Sequence, residues 1–210
     1  MITSNHIHLL VVDDGPRGVI AKSMQLVAGR TGQEYNQRKG RKGAYWEDRY
    51  HATAVESGDH LARSMVYIDT NMVRAGVVGH PSQWRFCGYN EIQKPRRKNV
   101  LIDYGRLQEL IGAGSDIQLR STHKGWVEDY LGDGVKVRQE EWTRSIAVGS
   151  RSFVENVKAL LGLRARGRDV IEGGKGYQLR EGAGYYNDFP ELGNGDISLE
   201  NSYFWDVNAE

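Results

Sequence analysis

Between Gly58 and Ala75 the chain carries two stripes of side chains that only a helix separates. Plotted at about 100° per residue, Leu61, Met65, Ile68 and Met72 line one face, and Ala62, Val66 and Val73 widen it. An apolar face of this width has to lie on a core. Arg63, Tyr67, Asn71 and Arg74 share a different face, because positions i, i+4 and i+7 stack along a helix. Tyr67 is therefore expected to point away from the core stripe. Ser57 is suited to cap the helix and Gly76 to end it.

The elements around this helix read as a mixture of strands and helices. His6 to Val12 has apolar residues on both faces, the pattern of a strand inside a sheet. Asp13-Asp14-Gly15-Pro16 is a turn by its chemistry, and Ile20, Met24, Val27, Thr31 and Tyr35 then recur at helical spacing up to Gly40. A short second strand is expected over Tyr50 to Glu56. Further helices are expected near Tyr104 to Ile111, near Thr122 to Leu131, and from the N-cap residue Ser150 through Phe153, Val157, Leu160 and Leu161. Gly173-Gly174-Lys175-Gly176 reads as a turn, and the Gly, Asn and Asp around residues 182 to 196 as a loosely ordered tail. The segment Lys94-Pro95-Arg96-Arg97-Lys98 reads as a connector. The expected organisation is a unit over 1–93, a basic linker over 94–101, and an accessory, mostly helical region over 102–210.

Composition excludes several classes. With 39% hydrophobic and 26% charged residues, the chain is far from a disordered composition. The longest aliphatic run, Leu9 to Val12, is too short to span a bilayer, and Cys87 is the single cysteine, so intramolecular disulfides and multi-cysteine zinc sites are excluded. A reducing, cytoplasmic location is expected. The formal net charge of +1 conceals an asymmetry: residues 1–100 carry fifteen Lys/Arg against nine Asp/Glu, and the remainder thirteen against eighteen. The basic half is the expected place for a polyanion, although two solvated surfaces of different charge give the same count.

Two histidines at i and i+2 on a strand project the same way, so His6 and His8 can converge on one divalent ion; surface or packed histidines give the same pattern. A tyrosine can serve as a covalent nucleophile, but a phenol needs help at neutral pH. A metal ion would supply it by polarising a phosphate and stabilising charge on its oxygens. Tyr67, one turn before Asn71, would bring attacker and an amide ligand on one helix. Its alternative is a packed tyrosine with its hydroxyl at the surface. His51, Asp13 and Asp14 are additional polar groups, explained equally well by a strand position and a turn. Cys87 reads as a small packed residue, with no local cluster to lower its pKa.

Four segments, in order, carry a family resemblance. Ser4-Asn5-His6-Ile7-His8-Leu9-Leu10-Val11 resembles the histidine strand of REP-associated tyrosine transposases and the related single-tyrosine HUH insertion-sequence transposases. Gly43-Ala44-Tyr45-Trp46-Glu47-Asp48-Arg49-Tyr50 resembles their aromatic and basic segment. Val66-Tyr67-Ile68-Asp69-Thr70-Asn71-Met72-Val73-Arg74-Ala75-Gly76-Val77 is similar to the tyrosine helix and is the most specific match. His80-Pro81-Ser82-Gln83-Trp84 through Tyr89 resembles the segment that closes the domain.

The resemblance covers about residues 1 to 92. It implies an α+β fold with a ferredoxin-like HUH sheet and helices on one face. It implies that His6 and His8 bind Mg²⁺ or Mn²⁺ with Asn71 as third ligand, and that Tyr67 attacks a phosphodiester in single-stranded or hairpin DNA. Arg38, Lys39, Arg41, Lys42, Arg49, Arg63 and Arg74 are then candidates to meet phosphates, and Tyr45 and Trp46 to stack on bases. A homodimer is compatible with this reading.

The chain departs from the family in two ways: the first strand and helix that precede the histidine strand are missing, consistent with truncation, and Met72 stands where the family usually has proline. Two competing expectations follow. One is a remnant that binds DNA hairpins without cutting; the other is an unrelated metal-binding or interaction protein with coincidental motifs.

Overall fold

A computed structural model describes residues 1–3, 6–13, 18–134 and 139–182. The fold is α+β, with eight helices and one four-stranded mixed sheet among the described residues. In chain order these are α1 (Val19–Lys39), β1 (Ala54–Val55), α2 (Asp59–Asp69), α3 (Asn71–Arg74), α4 (Gly88–Gln93), α5 (Tyr104–Ile111), α6 (Asp116–Gly132) and α7 (Glu141–Arg144). They are followed by β2 (Ala147–Gly149), α8 (Arg151–Leu161), β3 (Arg168–Gly173) and β4 (Gly176–Glu181).

Helix α2 is the centre of the molecule. Its apolar stripe behaves as its spacing predicts: Leu61 and Met65 pack with Ile92 of α4, Leu107 of α5 and Leu119 of α6. Val66 packs with Cys87, Tyr89 and Val127 of α6 in a second cluster. Residues from both sides of the basic 94–101 connector therefore share one core. The helix is shorter than the pattern suggests. It breaks at Thr70 and resumes as α3, and Gly76 follows with φ 70°, a conformation in which glycine is favoured.

The sheet order is β1-β2-β4-β3, with β1 parallel to β2 and the other pairs antiparallel. Three of its four strands thus come from the region expected to be mostly helical. The Gly173–Gly176 turn joins β3 to β4, and the alternating residues on either side of it are the hairpin signal. One face of β2 and β4 is closed by α8, where Ala147, Val154 and Leu179 form a third core cluster. Ser150 caps α8 as its sequence position predicts, accepting from the Phe153 backbone N–H. The expected helix near Thr122 to Leu131 lies within α6, and the expected strand over Tyr50 to Glu56 shortens to β1.

Gly149 sits where this sheet meets its neighbours most closely. A Cβ there would lie 2.5 Å from Cδ1 of Phe153 and 2.9 Å from the Glu56 side chain. Gly149→Ala is accordingly expected to lower stability by about 1–3 kcal/mol, read as a shift in the urea midpoint at constant slope. An unchanged midpoint would show that α8 and the sheet have room to part at this point.

The histidine segment is the main correction. Residues 6–12 do not form an inner strand; Ile7 makes one isolated antiparallel bridge with Ile2. Leu9, Leu10, Val11 and Val12 are 43–54% exposed, because no described strand lies beside them to accept their backbone bonds. The segment folds back on itself instead, with His8 N–H donating to Met1 O (3.0 Å) and Thr3 N–H to His6 O (3.0 Å). Ile2 N–H donates to Phe86 O, and Trp84 Nε1 to Ile2 O, which ties it to the body.

Helix α1 packs on its own return segment: Tyr45 lies against Tyr35 and Gly32, and Trp46 Nε1 donates to Ala28 O at 2.9 Å. Val27, expected on its covered face, is exposed. Asp14 to Pro16 of the expected turn, and the tail beyond residue 182, lie outside the described residues. No described helix is long and apolar enough to cross a membrane.

Candidate active site around Tyr67

The face of α2 opposite the apolar stripe carries Tyr67, and α3 continues it with Asn71 and Arg74. The expectation that Tyr67 points outward is half right. It lies off the core stripe, yet it is only 4% exposed, because that face is covered as well. The His8 ring meets its ring edge-on at 6.3 Å between centroids, and Trp142 of α7 lies at 6.3 Å on a tilted plane. Nothing local to residues 58–75 could announce either cover, since both arrive from distant parts of the chain.

The histidine pair reaches the same place without a strand. His6 and His8 meet at 4.9 Å between ring centroids and 83° between planes. A metal–nitrogen bond of about 2.0–2.1 Å puts an imidazole centre roughly 3 Å from the ion, so two rings meeting on one ion at a right angle have centres roughly 4–5 Å apart. Thr3 Oγ1, 3.0 Å from His6 Nδ1, orients the outer ring. Asn71 Nδ2 lies 3.2 Å from His8 Nε2, which puts the amide in hydrogen-bonding contact with the His8 ring. Two imidazoles and an amide therefore lie side by side here. No group of three or more His, Cys, Asp or Glu suited to a metal occurs among the described residues.

Arg74 completes the cluster. Its guanidinium carbon lies 3.9 Å from the Tyr67 ring centroid, and Nη1 donates to Tyr67 O and Thr70 Oγ1, each at 2.8 Å. Its Nη2 is buried with no hydrogen-bond partner among the described residues. An unpartnered guanidinium N–H beside a phenol is a ready donor to an anion. His6, His8, Tyr67, Asn71 and Arg74 are therefore brought together.

The remaining candidates are elsewhere. Arg38 and Arg41 stack over Tyr35 at 6.0 and 5.7 Å, and with Lys39 and Lys42 they form a separate basic group at the end of α1. Tyr45 and Trp46 are held in the packing of α1 against its return segment. Arg49 is exposed. Arg63 turns to the β3–β4 hairpin, donating to Lys175 O (2.7 Å) and lying 2.7 Å from His60 Nδ1. His60 is itself pushed toward its neutral form, by burial first and by Arg63 second. His51 Nε2 lies 3.1 Å from Ser145 O, and Asp13 is exposed.

Sequence reasoning missed a buried polar group two residues beyond Tyr67 on α2. Asp69 and His123 are 3% and 0% exposed and meet at 3.0 Å. Asp69 Oδ1 also accepts from Tyr89 N–H (2.9 Å) and from Cys87 Sγ (3.2 Å). Cys87 is the packed residue expected: burial, and then Asp69, drive its thiol strongly upward, away from a reactive thiolate. A lone aspartate between Ile68 and Thr70 was the available signal, but its partner lies 54 residues away.

No family model, curated protein or solved structure matches the chain.

Proposed function

We propose that this protein is a DNA strand-transferase of the HUH transposase type, using Tyr67 as nucleophile, a divalent cation, and single-stranded or hairpin DNA as substrate. The observation that supports it is the meeting of Tyr67 and Asn71 with His8, whose ring comes from 63 positions away in the chain. The finer architectural implication is a ferredoxin-like HUH ancestry for this α+β fold.

His6, His8 and Asn71 are the residues that would hold the ion. A bound Mg²⁺ or Mn²⁺ supplies Lewis-acid polarisation of the scissile phosphate. Imidazole donors favour Mn²⁺ over Mg²⁺, which prefers oxygen ligands throughout. Arg74, whose guanidinium carbon lies 3.9 Å from the Tyr67 ring centroid, is placed to donate from Nη2 to a phosphate oxygen. The Tyr67 Oη–phosphorus bond forms as the bond to the 3′ oxygen breaks. The proton lost by the phenol is balanced, through solvent, by the one that the 3′ oxygen takes up. The products are a 5′-phosphotyrosine link and a free 3′-hydroxyl, and attack by a second 3′-hydroxyl reverses the step without ATP.

A second reading, a hairpin-binding remnant that does not cut, is favoured by the cover over Tyr67. A phosphate reaches the phenol only if Trp142 moves aside, because the histidine segment carries the residues that would hold the ion.

The test is denaturing electrophoresis of the full chain with labelled hairpin DNA. A covalent adduct is expected with Mn²⁺, less with Mg²⁺, and none after EDTA. His8→Ala is expected to weaken Mn²⁺ binding, measured calorimetrically, by at least about 10-fold. DNA binding with no adduct under any divalent ion selects the remnant; an adduct that forms equally in EDTA removes the metal from the mechanism.

A further inference from the structure

We propose that a cleft lined by Tyr50, His51, Arg144, Arg168, Arg180 and the carboxylate of Glu181 binds the phosphate backbone of a single nucleic-acid strand. The identity of the strand rests on the Tyr67 reading above; the cleft's affinity for a strand does not.

The cleft has a volume of about 700 Å³ and is walled by the β3–β4 hairpin, α7 and the segment entering β1. Its guanidinium groups are positioned before any ligand arrives. Arg168 pairs with Glu181 and Arg180 with Asp169, so the two arginines leave opposite faces of the hairpin at its open end, and both line the cleft. Their side chains are 27% and 25% exposed. Arg180 Nε donates to Ser145 Oγ (3.1 Å), and Arg168 Nη1 to Arg164 O (2.6 Å). The rest of each planar fork remains available to oxygen acceptors. Arg144, 67% exposed, stands on α7.

Three arginines share two carboxylates. Glu140 lies 3.2 Å from Arg144 and 3.7 Å from Arg180, and Glu181 lies 3.7 Å from Arg168. Two of these separations exceed hydrogen-bonding distance, and exposed pairs of this kind are worth about 0–1 kcal/mol. A phosphodiester that accepts two parallel N–H bonds competes with them readily. Tyr50, 48% exposed at the rim, offers an aromatic face to an unpaired base. The cluster lies within the acidic half of the chain, so counting charge by halves conceals it.

Continuity with the Tyr67 site supports a strand over a small anion. Trp142 lies against the Tyr67 ring, and the next two residues of α7, Thr143 and Arg144, line the cleft. A nucleotide at Tyr67 and a phosphate at Arg144 would thus meet neighbouring residues of one short helix.

The experiment is fluorescence anisotropy of the full chain with a labelled, unstructured single strand over a salt series. The doubly substituted Arg144→Gln/Arg168→Gln protein is expected to bind about 5–10-fold more weakly near 0.1 M salt. Its salt slope should fall by about 1.4, or about 0.7 for each phosphate that is no longer neutralised. Glu181→Gln, which removes a competing carboxylate, is expected to tighten binding about twofold, an effect that damage to the fold would not produce. Parental affinity and slope in the double variant overturn the proposal, as does weakened binding at an unchanged slope. Full displacement of the strand by inorganic pyrophosphate at micromolar concentration assigns the cleft to a small phosphorylated ligand and also overturns it. The two readings fail separately: an adduct at Tyr67 with arginine-independent binding sinks the cleft alone, and arginine-dependent binding without an adduct sinks the nucleophile alone.

Discussion

Tyr67→Phe is expected to abolish the covalent protein–DNA adduct while leaving the fold in place, a loss on the order of 10⁶-fold if the phenol is the sole nucleophile. The ring is what the surroundings hold. His8 meets its edge, Trp142 its tilted face, and the Arg74 guanidinium lies 3.9 Å above it. Phenylalanine keeps all three neighbours, so unfolding by urea should change by less than about 1 kcal/mol. The measurement is adduct formation on hairpin DNA, with circular dichroism and the urea midpoint as controls. Adduct retained at the parental level in the folded variant would move the chemistry to another residue.

The second large effect is expected from Asp69→Ala. This carboxyl group gathers His123 Nε2, the Tyr89 N–H and the Cys87 thiol at one buried point, and so ties α2 to α6 and to the start of α4. Alanine leaves at least two buried polar groups without a partner, and an expected loss of about 3–5 kcal/mol follows. Asp69→Asn keeps an oxygen for the Tyr89 N–H and presents an amide to a His123 ring that can accept in its other tautomer. Its cost should be nearer 1–2 kcal/mol. Gly88 belongs to the same arrangement, since a Cβ there would lie 3.0 Å from Asp69 Oδ1. Chemical denaturation of the two variants side by side is the check. Equal midpoints for Asp69→Ala and the parent would mean that the buried pair does not hold the helices together.

The two effects are separate in space. Tyr67 and Asp69 are two residues apart on α2, so their side chains leave the helix in different directions. One meets the histidine segment and α7; the other faces α6. A variant at one position is therefore expected to leave the readout of the other unchanged, apart from global loss of folded protein.

What could be read along the chain was whatever depends on neighbours within one or two turns. The apolar stripe of residues 61–73, the cap at Ser150, the glycine that ends α3 and the turn at Gly173–Gly176 follow from helical periodicity, a side-chain acceptor and positive φ. The association of Tyr67 with Asn71 and Arg74 belongs here too, because one helical face carries all three. Pairing partners were beyond reach. Residues 6–12 have a strand's composition but no neighbour in the sheet, while Val148 and Leu179, unremarkable in their local sequence, are inner-sheet residues because β1, β3 and α8 close around them. Burial of the far face of α2 was likewise decided by His8 and Trp142, and the Asp69–His123 pair by the docking of α6. Local sequence determines which conformation a segment favours and which side chains share its face. Whether that face meets solvent, a cation's ligands or another helix is set by contacts between distant segments, whose free energy depends on three-dimensional proximity that no short window encodes.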